Sequence, residues 1–366
     1  MCVHPDTRQR IVDTFSIPKD ISVVKTKGVQ DGVELTWSDG HVSFHPYEYL
    51  KNQSRHSNRL GVRKRPKATA ILRKFKTQSP SNPISPTVSY SSVMSEDTGV
   101  LRWLENVYTW GFCFVEDTPV DPESTEALLK RIAFIRHTHY GGFWDFTADL
   151  TFKDTAYTTE PLGAHTDNTY FTDPSRLQLF HLLSHTEGEG GASLLVDGFQ
   201  ATQTLQKENK EHAITLQSTK HSYHSSGNAD IVIQPLIQKT VLGVRSYRGP
   251  IMQQIRWNNY DRVVKMDWKL DEQQAWYEAA SHFNEIIRRP EMEIWTQLKP
   301  GTALLFDNWR MLHGRSEFTG KRRMCGGYIN NDDFISRFRV LKFGRDCMIK
   351  NFGNMVMHKQ NPYSYF

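Results

Sequence analysis

Cysteine is scarce in this chain: Cys2, Cys113, Cys325 and Cys347 are the only four in 366 residues. So few thiols, so widely spaced, cannot form a disulfide framework and suit a reducing compartment. Long apolar runs are missing as well. Nothing approaches the stretch of about 18 apolar residues that marks a membrane-spanning helix, so no membrane role is expected. The start of the chain, Met1-Cys2-Val3-His4-Pro5-Asp6, lacks both an apolar signal core and an Arg-rich amphipathic leader free of acids. A cytoplasmic address is expected, with a mitochondrial one as the alternative. No internal repeat is visible. Acid is absent from one long segment: from Arg55 to Lys76 there are nine Lys or Arg and no Asp or Glu, which accounts for part of the net charge of +5. That segment has no helix template and a single aromatic, Phe75, among its cations, so a solvated linker is expected rather than nucleic-acid binding.

What is present suffices for a large core, with 38% hydrophobic residues and 12% aromatics. At this length the expectation is one catalytic domain with a smaller module beside it. Val33, Leu35 and Trp37 alternate before a Ser38-Asp39-Gly40 turn, and Val42 and Phe44 follow it, the pattern of a hairpin. The expected organisation is a small N-terminal β module with its basic linker over 1–77, a Ser/Pro-rich linker over 78–96, and the catalytic domain over 97–366. Within the last, Leu101, Leu104 and Tyr108 follow helical spacing, residues 111–115 read as a strand, and Asp121-Pro122-Glu123 opens a helix with Leu128, Ile132 and Ile135 on its apolar side. Residues 271–289 read as an amphipathic helix stopped by Pro290. Gly301 to Phe306 reads as a buried strand delivering His313, and Met324 to Ile329 as the next strand, with an arginine just before it.

A histidine and a carboxylate two residues apart, plus one distant histidine, supply three ligands on one face of a metal and leave the other face open. His-x-acid pairs are cheap: 15 His and 40 acids predict about 1.6 by chance, and three occur, at His4/Asp6, His165/Asp167 and His185/Glu187. Only His165/Asp167 lies just ahead of an alternating strand pattern, Leu177 to Leu183, and has a downstream partner, His313, followed by the basic residues Lys321, Arg322 and Arg323. An enzyme that consumes 2-oxoglutarate needs such a cation for the carboxylate far from the metal. Strand neighbours point to opposite faces, so only one of Arg322 and Arg323 can face inward. Strands with turn signals on both sides of His165 argue for a mainly β domain with flanking helices (α+β), a double-sheet jelly roll or double-stranded β-helix.

These motifs have company. Tyr140 to Trp144, Asp154 to Thr158, His165 to Phe171, Gly190 to Phe199, Trp257 to Asn259 and the run Arg289 to Tyr328 together resemble the γ-butyrobetaine/trimethyllysine dioxygenase family of Fe(II)/2-oxoglutarate oxygenases, over roughly residues 100 to 345. The resemblance implies the same jelly roll, Fe(II) on His165, Asp167 and His313, and 2-oxoglutarate and O2 as cosubstrates with an ascorbate effect. It chooses Arg322 over Arg323 for the far carboxylate, and adds Asn258 and, more weakly, Ser193 to that site. Tyr140, Trp144, Tyr157 and Tyr328, with the charge of Asp154, match an aromatic cage for a small-molecule trimethylammonium substrate. A quaternary cation cannot donate a hydrogen bond or lose a proton, so aromatic faces recognise it. Asn168 and Tyr170, beside the metal ligands, are placed to meet the rest of the substrate, while Arg310 and Arg315 flank His313. The implied reaction is hydroxylation of N6,N6,N6-trimethyllysine at C3, releasing succinate and CO2, as the first step of carnitine biosynthesis. The competing readings are γ-butyrobetaine hydroxylation and, from another class, a non-catalytic trimethylammonium or nucleic-acid binder. A homodimer is also implied. The family's N-terminal zinc cluster is matched only by Cys2 and His41, too few for a structural site, so no zinc is expected.

Overall fold

The computed structural model describes residues 17–18, 20–51, 85–147, 159–227, 229–246, 250–263 and 270–350. By internal contacts the chain divides into two units, 1–67 and 68–366. In the first, β1 (Val23–Val29), β2 (Gly32–Trp37) and β3 (Val42–Pro46) form an antiparallel meander, with helical backbone at 47–51 (α1). The β2/β3 turn is the expected hairpin, closed by the Gly40 amide on the Trp37 carbonyl and by Asp39, which accepts the His41 amide. His41 is exposed. Cys2 and the basic run 55–76 lie outside the described residues.

The second unit begins earlier than expected. β4 (Thr87–Ser89) and α2 (Tyr90–Ser95) occupy the end of the segment expected to be linker over 78–96. Val88 and Val93 are buried in the main core, and Ser89 caps α2 by accepting the Ser92 amide. Ser/Pro content hid this, because a Ser N-cap and a three-residue strand carry little periodicity. Next come α3 (Asp97–Trp110), β5 (Phe112–Glu116), α4 (Pro122–Lys130), β6 (Trp144–Thr147), β7 (Leu162–His165), β8 (Leu177–Thr186) and β9 (Ser193–Asp197). After α5 (Gly198–Glu208) and α6 (Lys210–Ser218) follow the short β10 (Lys220–His221) and β11 (Lys239–Thr240), the hairpin β12 (Leu242–Ser246) with β13 (Pro250–Ile255), and α7 (Leu270–Ile287). β14 (Glu293–Thr296), β15 (Ala303–Asp307), β16 (Met311–Arg315), β17 (Lys321–Ile329), α8 (Asn331–Phe343) and α9 (Arg345–Lys350) complete the order.

Two sheets carry the site. One runs β4-β5-β15-β8-β17-β6, the other β14-β9-β16-β7. Period-two alternation sorts their side chains between layers. Phe112, Phe114, Leu304 and Phe306 of the larger sheet pack with Leu195 and Met311 of the smaller one, so the two sheets share an inner core. The alternate residues Cys113, Val115, Ala303 and Leu305 pack outward against Trp103, Leu104 and Leu128 from α3 and α4 and Phe338 from α8. On the far side, Leu194, Val196 and Leu312 meet Leu205, Leu216 and Phe283 from α5, α6 and α7. The architecture is thus mixed α and β, helices covering both outer faces of a paired sheet. Two helices differ in detail from expectation. The buried face of α3 is Val100, Trp103, Leu104 and Val107, and α4 ends at Lys130, leaving Ile135 to a β-bridge with Ile329.

The expected strand before His313 does not itself deliver that residue. β15 ends in a turn, Asp307 to Arg310, that crosses from the larger sheet to the smaller, and β16 carries His313. Buried charge pins this turn. Arg176 donates to both Asp307 oxygens at 2.8 Å, and Arg310 binds Asp197, the N-cap of α5, at 2.6 Å. Arg176→Met should therefore cost about 3–5 kcal/mol, because it strands the buried Asp307 carboxylate. A urea titration measures this as a lowered midpoint at unchanged slope.

Candidate active site

β7 and β16 are antiparallel neighbours, and His165 and His313 are direct partners in their register. Their ring centroids are 4.4 Å apart. The pairing has an irregularity between His313 and Arg315, where Gly314 allows the backbones to close, since a Cβ there would collide with the Leu162 carbonyl oxygen. Such bulges re-aim side chains beside sites. Asp167 follows β7 by two residues and is turned inward by Asn168, whose φ of 57° is left-handed, a conformation that asparagine tolerates better than most residues. Asp167 Oδ1 lies 3.3 Å from His165 Nε2 and 3.5 Å from His313 Nε2. One atom from each of the three residues falls within 4.8 Å of the others.

Electrostatics fit a cation at this point. Burial opposes charge on all three groups. On Asp167 the two imidazoles outweigh burial, holding its carboxyl well below the usual range. On His165 the hydrogen bond and charge of Asp167 outweigh burial and raise the imidazole. On His313, burial and then the neighbouring His165 push the other way, so it is lowered. His165 Nδ1 lies 2.8 Å from the Gly163 carbonyl, which must accept its proton and so leaves Nε2 as a lone-pair donor. The donor set of two imidazoles and one carboxylate, with oxygen and nitrogen atoms aimed at one point, suits Fe(II).

These groups line one cavity of about 1080 Å³ including its mouth. Tyr140, Trp144, Tyr328, Asn258, Ser193 and Arg322 line it too. Trp144 and Tyr328 are 6.2 Å apart, edge to face, and the Tyr140 and Tyr170 hydroxyls meet at 3.2 Å. Asn258 is engaged within its own loop, donating to Asp261 and accepting from the Tyr260 amide. Asp154 and Tyr157 lie outside the described residues. Arg322 and Arg323 separate as alternation requires. Arg322 is buried against the cavity, its guanidinium drawn down to about 10 by burial and by nearby Arg315, which leaves it charged at neutral pH. Arg323 is outside and holds Asp145 through two bonds. Arg322 lies within β17 rather than just before it.

Sequence reasoning missed four residues. Gln178 and Asn308 bind Asp167 directly. Arg315, noted only as flanking His313, is buried in the cavity wall, its Nη2 donating to the Glu160 carbonyl at 2.8 Å. Asp261 joins the wall as well. Only Gln178 carried a signal, a polar residue between Leu177 and Leu179 in an apolar strand. Arg310 turned out to be structural, as above. The competing His185 binds the Thr319 carbonyl at the surface, and Glu187 pairs with exposed Lys321. His4 and Asp6 lie outside the described residues.

Comparison with known proteins agrees with this geometry. Residues 75–328 match the family described as taurine catabolism dioxygenase TauD, TfdA family. A trimethyllysine dioxygenase of Neurospora crassa is 43% identical over 94% of this chain and 78% of its own length. The human protein named trimethyllysine dioxygenase, mitochondrial, is 38% identical over 93% of this chain and 79% of its own. A Burkholderia xenovorans structure described as a candidate α-ketoglutarate-dependent taurine dioxygenase shares the fold, with a TM-score of 0.51 at 12% identity, over 68% of this chain and 91% of that one. No helix among the described residues is long and apolar enough to cross a membrane. With its paired sheets, its convergent His165, Asp167 and His313, and this similarity along nearly its whole length, the chain is an oxidoreductase of the TauD, TfdA family of Fe(II)/2-oxoglutarate-dependent dioxygenases, with trimethyllysine dioxygenases among its relatives.

Proposed function

We propose that the cavity hydroxylates free N6,N6,N6-trimethyllysine at C3, consuming 2-oxoglutarate and O2 and releasing succinate and CO2, the entry step to carnitine. One observation carries this reading: three convergent ligand atoms, a wall of aromatic rings and a buried guanidinium share one cavity. A mere trimethylammonium binder would need only the rings. His165, Asp167 and His313 would hold Fe(II), which would supply the open positions where the keto acid and O2 bind. Arg322 forks onto the far carboxylate of 2-oxoglutarate, with Ser193 and Asn258 beside it. Tyr140, Trp144 and Tyr328 turn ring faces to the trimethylammonium group. Asn168, whose buried Oδ1 has no partner among the described residues, and Tyr170 face the amino-acid end.

The sheets are read as a jelly roll, preceded by a separate β module. A homodimer and an ascorbate effect are proposed from the resemblance, and absence of nucleic-acid binding from the make-up of the basic run 55–76. The proposed compartment is cytoplasmic, with mitochondrial as the alternative that the mammalian relatives' names favour.

Trimethyllysine and γ-butyrobetaine carry the same cation, so the test offers each with Fe(II), 2-oxoglutarate and air. Mass spectrometry should find an added oxygen atom on trimethyllysine. Oxygen added only to γ-butyrobetaine, or to neither, would refute the proposal. In the same assay Trp144→Leu should raise the KM for trimethyllysine about tenfold, the loss of one desolvated cation–π contact of roughly 1–2 kcal/mol, while the KM for 2-oxoglutarate moves far less.

A further inference from the structure

Asp167 is gripped through one oxygen. Its Oδ2 accepts the Tyr328 hydroxyl at 2.8 Å and the Gln178 amide N–H at 2.7 Å. Two donors occupy that oxygen's lone pairs. Only Oδ1 then remains to face the Nε2 atoms of His165 and His313. The backbone is fixed as well: Asn308 accepts the Asp167 amide at 2.8 Å and donates to the Asp167 carbonyl at 3.1 Å.

Which oxygen is free matters to the chemistry. Three protein donors leave three positions of an octahedron, two for the keto acid and one for O2. A carboxylate bound through both oxygens would take a fourth. Packing alone does not explain the residues that prevent this. Gln178 is 1% exposed between two leucines, its Nε2 spent on Asp167 and its Oε1 without a partner among the described residues, a costly arrangement for a merely filling side chain. Tyr328 belongs to two parts of the cavity at once, its ring beside Trp144 and its hydroxyl on Asp167.

We infer that Gln178 and Tyr328 are positioning residues that restrict Asp167 to ligation through Oδ1, and that Tyr328 thereby joins the cation-binding wall to the metal site. The inference rests on the metal-site reading above. Its test uses the full-length, iron-free protein and Co(II) as the probe, read by calorimetry and by the visible absorption of the bound ion, which weakens as coordination number rises. Tyr328→Phe keeps the ring and removes the hydroxyl; Gln178→Met keeps the volume and removes the amide. Each should weaken Co(II) binding about tenfold and shift the absorption toward higher coordination number. Thermal melting checks that each variant is folded, and if Gln178→Met fails that check Tyr328→Phe decides. A folded Tyr328→Phe that binds Co(II) within twofold of wild type, or keeps the wild-type spectrum, overturns the inference. A wild-type chain that takes up no Co(II), or whose uptake is unaffected by His313→Ala, overturns the metal-site reading instead.

Discussion

Replacing His313 by alanine should abolish hydroxylation while leaving the protein folded. His313 is one of three side chains whose ligand atoms converge, and two remaining ligands cannot keep a ferrous ion in an open, facial arrangement. A fall of at least about a thousandfold in rate is expected, some 4 kcal/mol of transition-state stabilisation. The fold should survive because β16 is held by its register with β9 and β7 rather than by this side chain. The imidazole Nδ1 has no partner among the described residues, so truncation strands no donor or acceptor of theirs on that side. Succinate release followed beside thermal melting measures both halves. A variant that decarboxylates 2-oxoglutarate at the wild-type rate would show the ligand assignment to be wrong.

The second large effect is expected at Arg322. A buried guanidinium with no acid paired to it among the described residues calls for an anionic ligand, and the keto acid's far carboxylate matches its planar fork. Arg322→Met should raise the KM for 2-oxoglutarate about a hundredfold, equal to roughly 2.7 kcal/mol, just under the sum of about 3–6 kcal/mol for two hydrogen bonds to a charged group. Arg322→Lys should recover little, since a point charge cannot fork. Arg323→Met is the control, because Arg323 sits outside on Asp145. An Arg322→Met enzyme whose KM for 2-oxoglutarate moved less than threefold would reassign the role to Arg315.

Much of the site was legible from residue order. His165, Asp167, His313 and the arginines stand in a spacing that chance does not supply together, and strand alternation already required Arg322 and Arg323 to part. The hairpin of residues 32–46, the helix stopped near Pro290 and the apolar strand at 303–307 followed from local pattern, because turn chemistry and period-two or helical burial act over a few residues. The start of the catalytic unit was not legible, since Val88 and Val93 are apolar residues set among serines, and only packing reveals them as core.

Sequence alone determined which chemical groups are available: two imidazoles, a carboxylate, a set of aromatic rings and a guanidinium. Tertiary structure alone decided how they are used. His165 and His313 are 148 positions apart, yet they are direct register partners because a turn carries the chain from one sheet to the other and sets β16 beside β7. Asn308 meets Asp167 across 141 positions, and Tyr328 meets it across 161. No local pattern records such contacts, because they arise only where separate strands close over a shared core and bring their inward side chains within hydrogen-bond reach.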